Sequence, residues 1–413
     1  MMHKERFRAV GQTDAGVWAR GKEFLMDTTR RNFLATAGGL AAAPIILGAT
    51  DKAGTKNPML GEGEHQYECI HDWGEMPSQI KYGNTHSVVE DAQGHIYIHH
   101  TVHKTSQSPD AVVVFDNKGK FVRSFGAMFR GGAHGMHLNR EGKTEYLYFC
   151  DEKHGIVTKR TMKGEEVWTM GYPQDSPIYE KGPGAKGPGG AAGLNYRPTN
   201  FTIASNLDFW VGDGYGSYYM FHYSQQGPYP KLLNTFGGRP APAPGEAGGG
   251  PGGRGGARGE GRGPAAGPVP APIETMNNPH GVWLDTRDPA KPILLVADRG
   301  NRRIVRYTTE DKPIDIIEGT KAPCHFHQQK DMLVVPDLQS RVTLLDKQNK
   351  VIVHLGDGDY NGKQNQLRVS ENRADFEPGK FITPHGAWFD RAGNIFVTEW
   401  VEIGRVTKLR KIA

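Results

Sequence analysis

Six stretches of the chain place a side chain able to bind a ligand or metal at one recurring position: Asn-Thr-His86-Ser, Gly-Ala-His134-Gly, Arg-Pro-Thr199-Asn, Asn-Pro-His280-Gly, Ala-Pro-Cys324-His and Thr-Pro-His385-Gly. Neutral imidazole nitrogen is a good ligand for zinc, copper, iron or nickel. Three protein ligands with a fourth position left open describe a catalytic rather than a structural zinc site. A single His before Gly ordinarily does no more than hydrogen-bond at a strand end. Three of them in one phase, at His134, His280 and His385, point instead to a shared zinc or other transition metal. His86 is a candidate additional ligand, with a hydrogen-bonded or surface role as the alternative. His325 and His327 flank the fifth position, while His99, His100 and His103 cluster without ligand spacing.

The same stretches define the elements that must position these groups. Each opens a short apolar strand, and a second apolar strand follows that ends in an acid or a polar residue, as in ILLVAD up to Asp298 or NIFVTE up to Glu399. A unit that recurs at a fixed phase is the mark of a repeat architecture. Short alternating strands between turn residues predict four antiparallel strands per unit. Six such units read as an all-β fold, a six-bladed β-propeller around a central channel. The innermost strand of each blade faces that channel, so the residue opening it belongs to a ring at one end. His134, His280 and His385 fall on alternate blades, a third of a turn apart. The repeats occupy residues 66–413, and the segment QYECIHDW from Gln66 is expected as the outer strand of the last blade, sealing the ring. Asp151, Asp213, Asp298 and Asp337 are expected to cap turns.

Composition narrows the class. Of 413 residues, 55 are Gly and 27 Pro, and the net charge of +5 is too weak to imply nucleic acid or a membrane surface. Part of the Gly and Pro excess lies in two low-complexity stretches, 182–193 and 237–272, read as solvated loops between strands because they carry too little apolar surface to order. The Arg-Gly-Gly elements of the second lack interleaved aromatics, so no nucleic acid is expected. Cys69, Cys150 and Cys324 show no metal-knuckle spacing, and buried free thiols are the ordinary reading.

Residues 1–50 read as a leader, with Met26 as a plausible start. Arg30-Arg31, followed by Asn32-Phe33-Leu34, stands before an Ala- and Gly-rich apolar run from Phe33 to Gly48. This order resembles a twin-arginine export signal, which implies a periplasmic or extracellular protein. The run is too short for a comfortable membrane span, so no stable span is expected after processing.

Over residues 66–413 the pattern resembles NHL repeats, and the site motifs resemble those of peptidyl-α-hydroxyglycine α-amidating lyase, a six-bladed NHL propeller. In that family three histidines from Pro-His motifs on alternate blades hold zinc. Pro279-His280-Gly281 and Pro384-His385-Gly386 match, and Ala133-His134-Gly135 supplies the third with Ala for Pro. The family's catalytic tyrosine lies in an Asp-Gly-Tyr turn, matched by Asp213-Gly214-Tyr215, and its arginine follows a Val-Ala-Asp strand, matched by Arg299. The resemblance implies Tyr215 as base and Arg299 as an anchor for negative charge. Two positions depart from it. Thr101 stands where a second family arginine is expected, and Gly386 replaces an aspartate that helps bind a structural calcium, so that calcium is not expected here.

The resulting expectation is an exported, metal-dependent, lyase-like enzyme cleaving a carbon–nitrogen bond in a small-molecule or peptide-derived substrate. The alternative is a non-catalytic propeller that binds a protein or carbohydrate. A calcium-dependent sugar-lactone hydrolase ranks lower, because such sites use carboxylate and Asn ligands rather than imidazoles.

Overall fold

A computed structural model describes residues 57–179, 196–239, 271–358 and 360–412. The leader, including Met26 and Arg30-Arg31, lies outside the described residues, as do residues 182–193 and nearly all of 237–272. Among the described residues no helix is long and apolar enough to cross a membrane.

The described chain folds into six antiparallel sheets, five of four strands and one of five, with a single short α-helix at Gln364–Arg368. This is the six-bladed propeller. The first strands of the sheets, Thr85–Glu90, Ala133–Glu141, Asn200–Ile203, Pro279–Asp285, His327–Gln329 and Pro384–Phe389, form the inner layer. Five of the six sheets use consecutive strands. The last is completed from the other end of the chain: Tyr67–Ile70 pairs antiparallel with Arg405–Lys411, and Met59–Leu60 adds a fifth strand outside it. The sealing strand anticipated from Gln66 is thus present, and the extra edge strand had no signal in its two residues.

Burial grades outward from the channel as the stacking of blades requires. Second and third strands are sandwiched between neighbouring sheets and read as continuous apolar runs; Val113, Val296, Val335 and Val397 are all 0% exposed. Each such side chain contributes about 1.5–3 kcal/mol when removed from water. Outer strands such as Pro313–Ile317 and Glu166–Met170 face solvent along most of their length.

In blades three to six the acid at the end of the second strand ties the blade's entry segment into place. Asp213 accepts from the Arg197 N–H at 2.7 Å, Asp298 from the Asn277 N–H at 2.7 Å, and Asp337 from the Lys321 and Ala322 N–H groups at 2.6 and 2.8 Å. Glu399 does the same for the Ile382 N–H at 2.7 Å. These segments lead directly into the recurring ring position. The acids also cap turns, as when Asp337 accepts from the Gln339 N–H and Asp151 from the Lys153 and His154 N–H groups. Burial raises the carboxyl pKa of Asp213, Asp298 and Asp337, against which their hydrogen bonds act.

Candidate metal centre

The innermost strand breaks register at each of the four ring histidines. Pairing with the second strand jumps between Thr85 and Ser87, Ala133 and Met136, Pro279 and Val282, and Pro384 and Gly386, so His86, His134, His280 and His385 all lie in β-bulges. A bulged residue has no partner across the ladder and is re-aimed by the local kink. The outcome is convergence. Ring centroids of His134, His280 and His385 stand 4.7, 4.8 and 4.7 Å apart, close to an equilateral triangle. His86 joins beside two of them, 4.8 Å from His134 and 4.5 Å from His385.

Each of the three imidazoles is held by the next blade. His134 Nδ1 donates to the Thr199 carbonyl at 2.6 Å, His280 Nδ1 to the Cys324 carbonyl at 2.8 Å, and His385 Nδ1 to the His86 carbonyl at 2.9 Å. A carbonyl can only accept, so Nδ1 carries the proton and Nε2 presents a lone pair in all three rings. The Gly after each histidine makes the approach feasible. A Cβ at Gly135, Gly281 or Gly386 would stand 2.5, 2.6 or 2.5 Å from those same three carbonyl oxygens. This also explains why an aspartate, as the amidating lyases have for calcium, finds no room at position 386.

Among the described residues, two groups approach the three Nε2 atoms as donors. Tyr215 Oη lies 3.2 Å from His134 Nε2 and 3.1 Å from His280 Nε2, and its single proton can serve only one. His385 Nε2 faces His86 Nδ1 at 3.3 Å. Protonating the rings is no remedy. They are buried, and burial with repulsion from neighbouring histidines and Arg299 holds His86, His134 and His280 well below the ordinary imidazole range. His385 is pushed down to about 3 by burial. A surplus of convergent, neutral lone pairs with fixed tautomers suits a divalent cation, and anchored Nδ1–H groups are the usual outer support of metal-binding histidines. Two groups of three ligand atoms lie mutually within 4.8 Å: His86, His134, His385, and His280, Cys324, His385; the triplet expected from sequence, His134, His280 and His385, is spread over the two, with His385 common to both.

Tyr215 and Arg299 reach this ring from the blade-three and blade-four turns. Asp213 fixes the tyrosine's turn by accepting from Ser217 N–H and Oγ, and from Tyr179 Oη. Gly214 presses on blade four so closely that a Cβ would meet the Pro279 carbonyl at 2.2 Å. Two guanidinium groups lie near the Tyr215 ring centroid, Arg197, which is paired with Glu152, at 5.2 Å and Arg299 at 5.3 Å. Arg299 Nη2 donates to Tyr215 Oη at 3.3 Å, and Nη1 reaches Cys324 Sγ at 3.7 Å. Arg303, not Arg299, pairs with Asp298 at 2.8 Å.

Other sequence candidates do other work. Thr101 is absorbed in backbone geometry, its Oγ1 accepting from the Asn84 N–H at 3.0 Å. His99 packs edge-on against Phe129 and Phe149, and His100 Nδ1 accepts from the Val102 N–H. His327 stacks on Trp388 at 3.5 Å and accepts from the Phe389 N–H. The three cysteines are free and buried. What sequence reasoning missed is Arg197, flagged only by its place two residues before Thr199.

Comparison with known proteins adds scaffold likeness only. No family model matches the chain, and no curated protein does. Among solved structures it is similar to a streptogramin B lyase, at 11% identity and a TM-score of 0.48, over 85% of this chain and 99% of that one. It is also similar to a gluconolactonase from Xanthomonas campestris, at 9% identity and a TM-score of 0.49, over 86% and 95% of the two chains. The six-bladed class itself rests on the strand ladders of this chain.

Proposed function

We propose that this chain is an exported propeller enzyme in which His134, His280 and His385 hold zinc or another transition metal, and that it cleaves a carbon–nitrogen bond as the amidating lyases do. The observation that carries the reading is the near-equilateral triangle of the His134, His280 and His385 rings, with Tyr215 Oη 3.2 Å from His134 Nε2 and 3.1 Å from His280 Nε2. Bound there, a metal ion supplies Lewis acidity, lowering the pKa of a coordinated hydroxyl.

The chain's own groups provide the rest. A hemiaminal substrate, N–CH(OH)–, loses its hydroxyl proton to Tyr215 Oη in its ionised form, 3.2 and 3.1 Å from the Nε2 atoms of His134 and His280. The C–O⁻ pair forms a carbonyl as the C–N bond breaks, and the leaving nitrogen takes the proton back from Tyr215, giving an amide and an aldehyde and restoring the phenolate. Arg299 Nη2 donates to Tyr215 Oη, a contact that favours negative charge on that oxygen, while the Arg197 guanidinium beside the ring is paired with Glu152. Arg299 also stands where it can hold a carboxylate or stabilise charge that develops in the transition state. With Thr101 in place of the family's second arginine, substrate anchoring differs from that of the amidating lyases.

The test is turnover of an N-acyl-α-hydroxyglycine by the metal-loaded protein, read as release of the amide and glyoxylate. The expected result is catalysis abolished by chelation and restored by zinc or cobalt. Absence of turnover across N-acyl-α-hydroxyglycines with bound metal intact contradicts the lyase reading and favours a propeller that binds without reacting.

A further inference from the structure

The two groups of ligand atoms differ in chemistry. One is all imidazole; the other replaces two of its nitrogens with His280 Nε2 and the sulfur of Cys324, and His385 belongs to both. Because His385 Nδ1 is committed to the His86 carbonyl, only its Nε2 is available, and one nitrogen lone pair binds one ion. The groups therefore share a single metal rather than holding two.

Cys324 is well placed to join the ligands of that metal. It is 1% exposed, is in no disulfide, and occupies the blade-five place in the ring. Its sulfur makes only long contacts, 3.7 Å from Arg299 Nη1 and 3.6 Å to the Ala322 carbonyl. Its own carbonyl is the anchor of His280 Nδ1, so sulfur and imidazole are positioned by one residue. The Arg299 guanidinium beside the sulfur offsets the charge of a thiolate.

We propose that Cys324 is a metal ligand, forming with His280 and His385 a sulfur-containing coordination position that selects thiophilic ions such as zinc, cadmium or copper(I) over manganese or magnesium. On binding, the S–H proton passes to solvent and a metal–sulfur bond forms, with no change of oxidation state. Thiolate in the ligand set is what shifts preference towards these softer ions. The inference rests on the reading that the ring binds a metal, and goes beyond it by naming the ligand that sets which metal.

Cobalt(II) makes the sulfur visible, because a cobalt–thiolate bond gives an intense near-ultraviolet charge-transfer band that imidazole ligation lacks. The wild-type protein loaded with cobalt is expected to show this band, as are the Cys69→Ser and Cys150→Ser proteins. Cys324→Ser is expected to keep bound cobalt, lose the band and lose most of its preference for cadmium over manganese in competition. Circular dichroism and the unfolding midpoint check that variant's fold, and the wild-type spectrum decides the matter even where the variant misfolds. Cobalt bound by the wild type without the band, or a band that persists in folded Cys324→Ser, overturns the assignment of Cys324 and leaves the metal reading standing. Failure of the wild type to bind cobalt, zinc or cadmium at all removes the metal reading and this inference with it.

Discussion

His134 and Thr199 meet across a blade boundary: the imidazole Nδ1 donates to the threonine carbonyl at 2.6 Å, and Gly135 lies against that same oxygen. The relation repeats at His280 with Cys324 and at His385 with His86. The His-Gly dipeptide thus works as a unit, the glycine giving way so that the histidine can be aimed by its neighbour. Gly135→Ala and Gly386→Ala should therefore weaken metal binding about 10–100-fold, the usual cost of losing an outer support, with all three histidines still in place. Metal titration of the folded variants checks this. Unchanged affinity would mean that the inter-blade hydrogen bonds do not set the ring geometry.

Tyr215 is expected to matter for turnover far more than for the metal. Tyr215→Phe keeps the ring beside Arg197 and Arg299 and removes only the hydroxyl. Catalysis should fall by about 10²–10⁴-fold, the range for loss of a positioned proton-transfer group, with metal content unchanged. Steady-state rates beside metal analysis separate the two effects.

Acid should destabilise the apoprotein steeply. Burial lowers His99, His100, His137 and His385 to about 3 and His325 to about 4, against an ordinary value of 6.5 in the unfolded chain. Below pH 6.5 the unfolded chain takes up protons that the native state refuses. Stability therefore falls as pH drops from about 6.5 towards 4, by up to about 1.4 kcal/mol per pH unit for each such histidine. Chemical denaturation of the apoprotein at pH 7, 6 and 5 measures the slope, and a flat profile would contradict the buried neutral set.

The pair Glu399–Arg405 is almost wholly enclosed, with side chains 0% and 1% exposed. Glu399 also holds the Ile382 N–H, three residues before His385, and Arg405 Nη2 donates to the Lys380 carbonyl at 2.8 Å. Arg405→Met strands the carboxylate and should cost about 3–5 kcal/mol. Thermal unfolding tests the size of the loss. The double variant Glu399→Gln, Arg405→Met should recover part of it, because no bare charge remains buried.

The phase of the ring was legible in sequence because the strand openings repeat: Pro279-His280-Gly281 and Pro384-His385-Gly386 are near copies, and their spacing placed His134 in the same set. The reasons for the glycines were not legible, since they depend on how tightly blade two presses on blade three, a contact between residues 135 and 199. The bulges were hidden too, because a shift of register leaves no mark in the apolar pattern of THSVVE or PHGAWF. Asp298 and Arg299 are adjacent in sequence but do not pair. The turn at Arg299–Asn301 sends that guanidinium to Tyr215 and brings Arg303 back to the carboxylate. The Tyr67–Ile70 strand was found because a ring needs sealing; Met59–Leu60, two residues long, carries no such demand.

Elemental analysis of the purified full chain, with His134→Ala, His280→Ala and His385→Ala beside it, tests the central claim most directly. The wild type is expected to hold close to one tightly bound transition metal per chain, and each folded variant to lose it. A wild type that stays free of metal after incubation with zinc, cobalt and copper, or variants that retain the wild-type content, would contradict it.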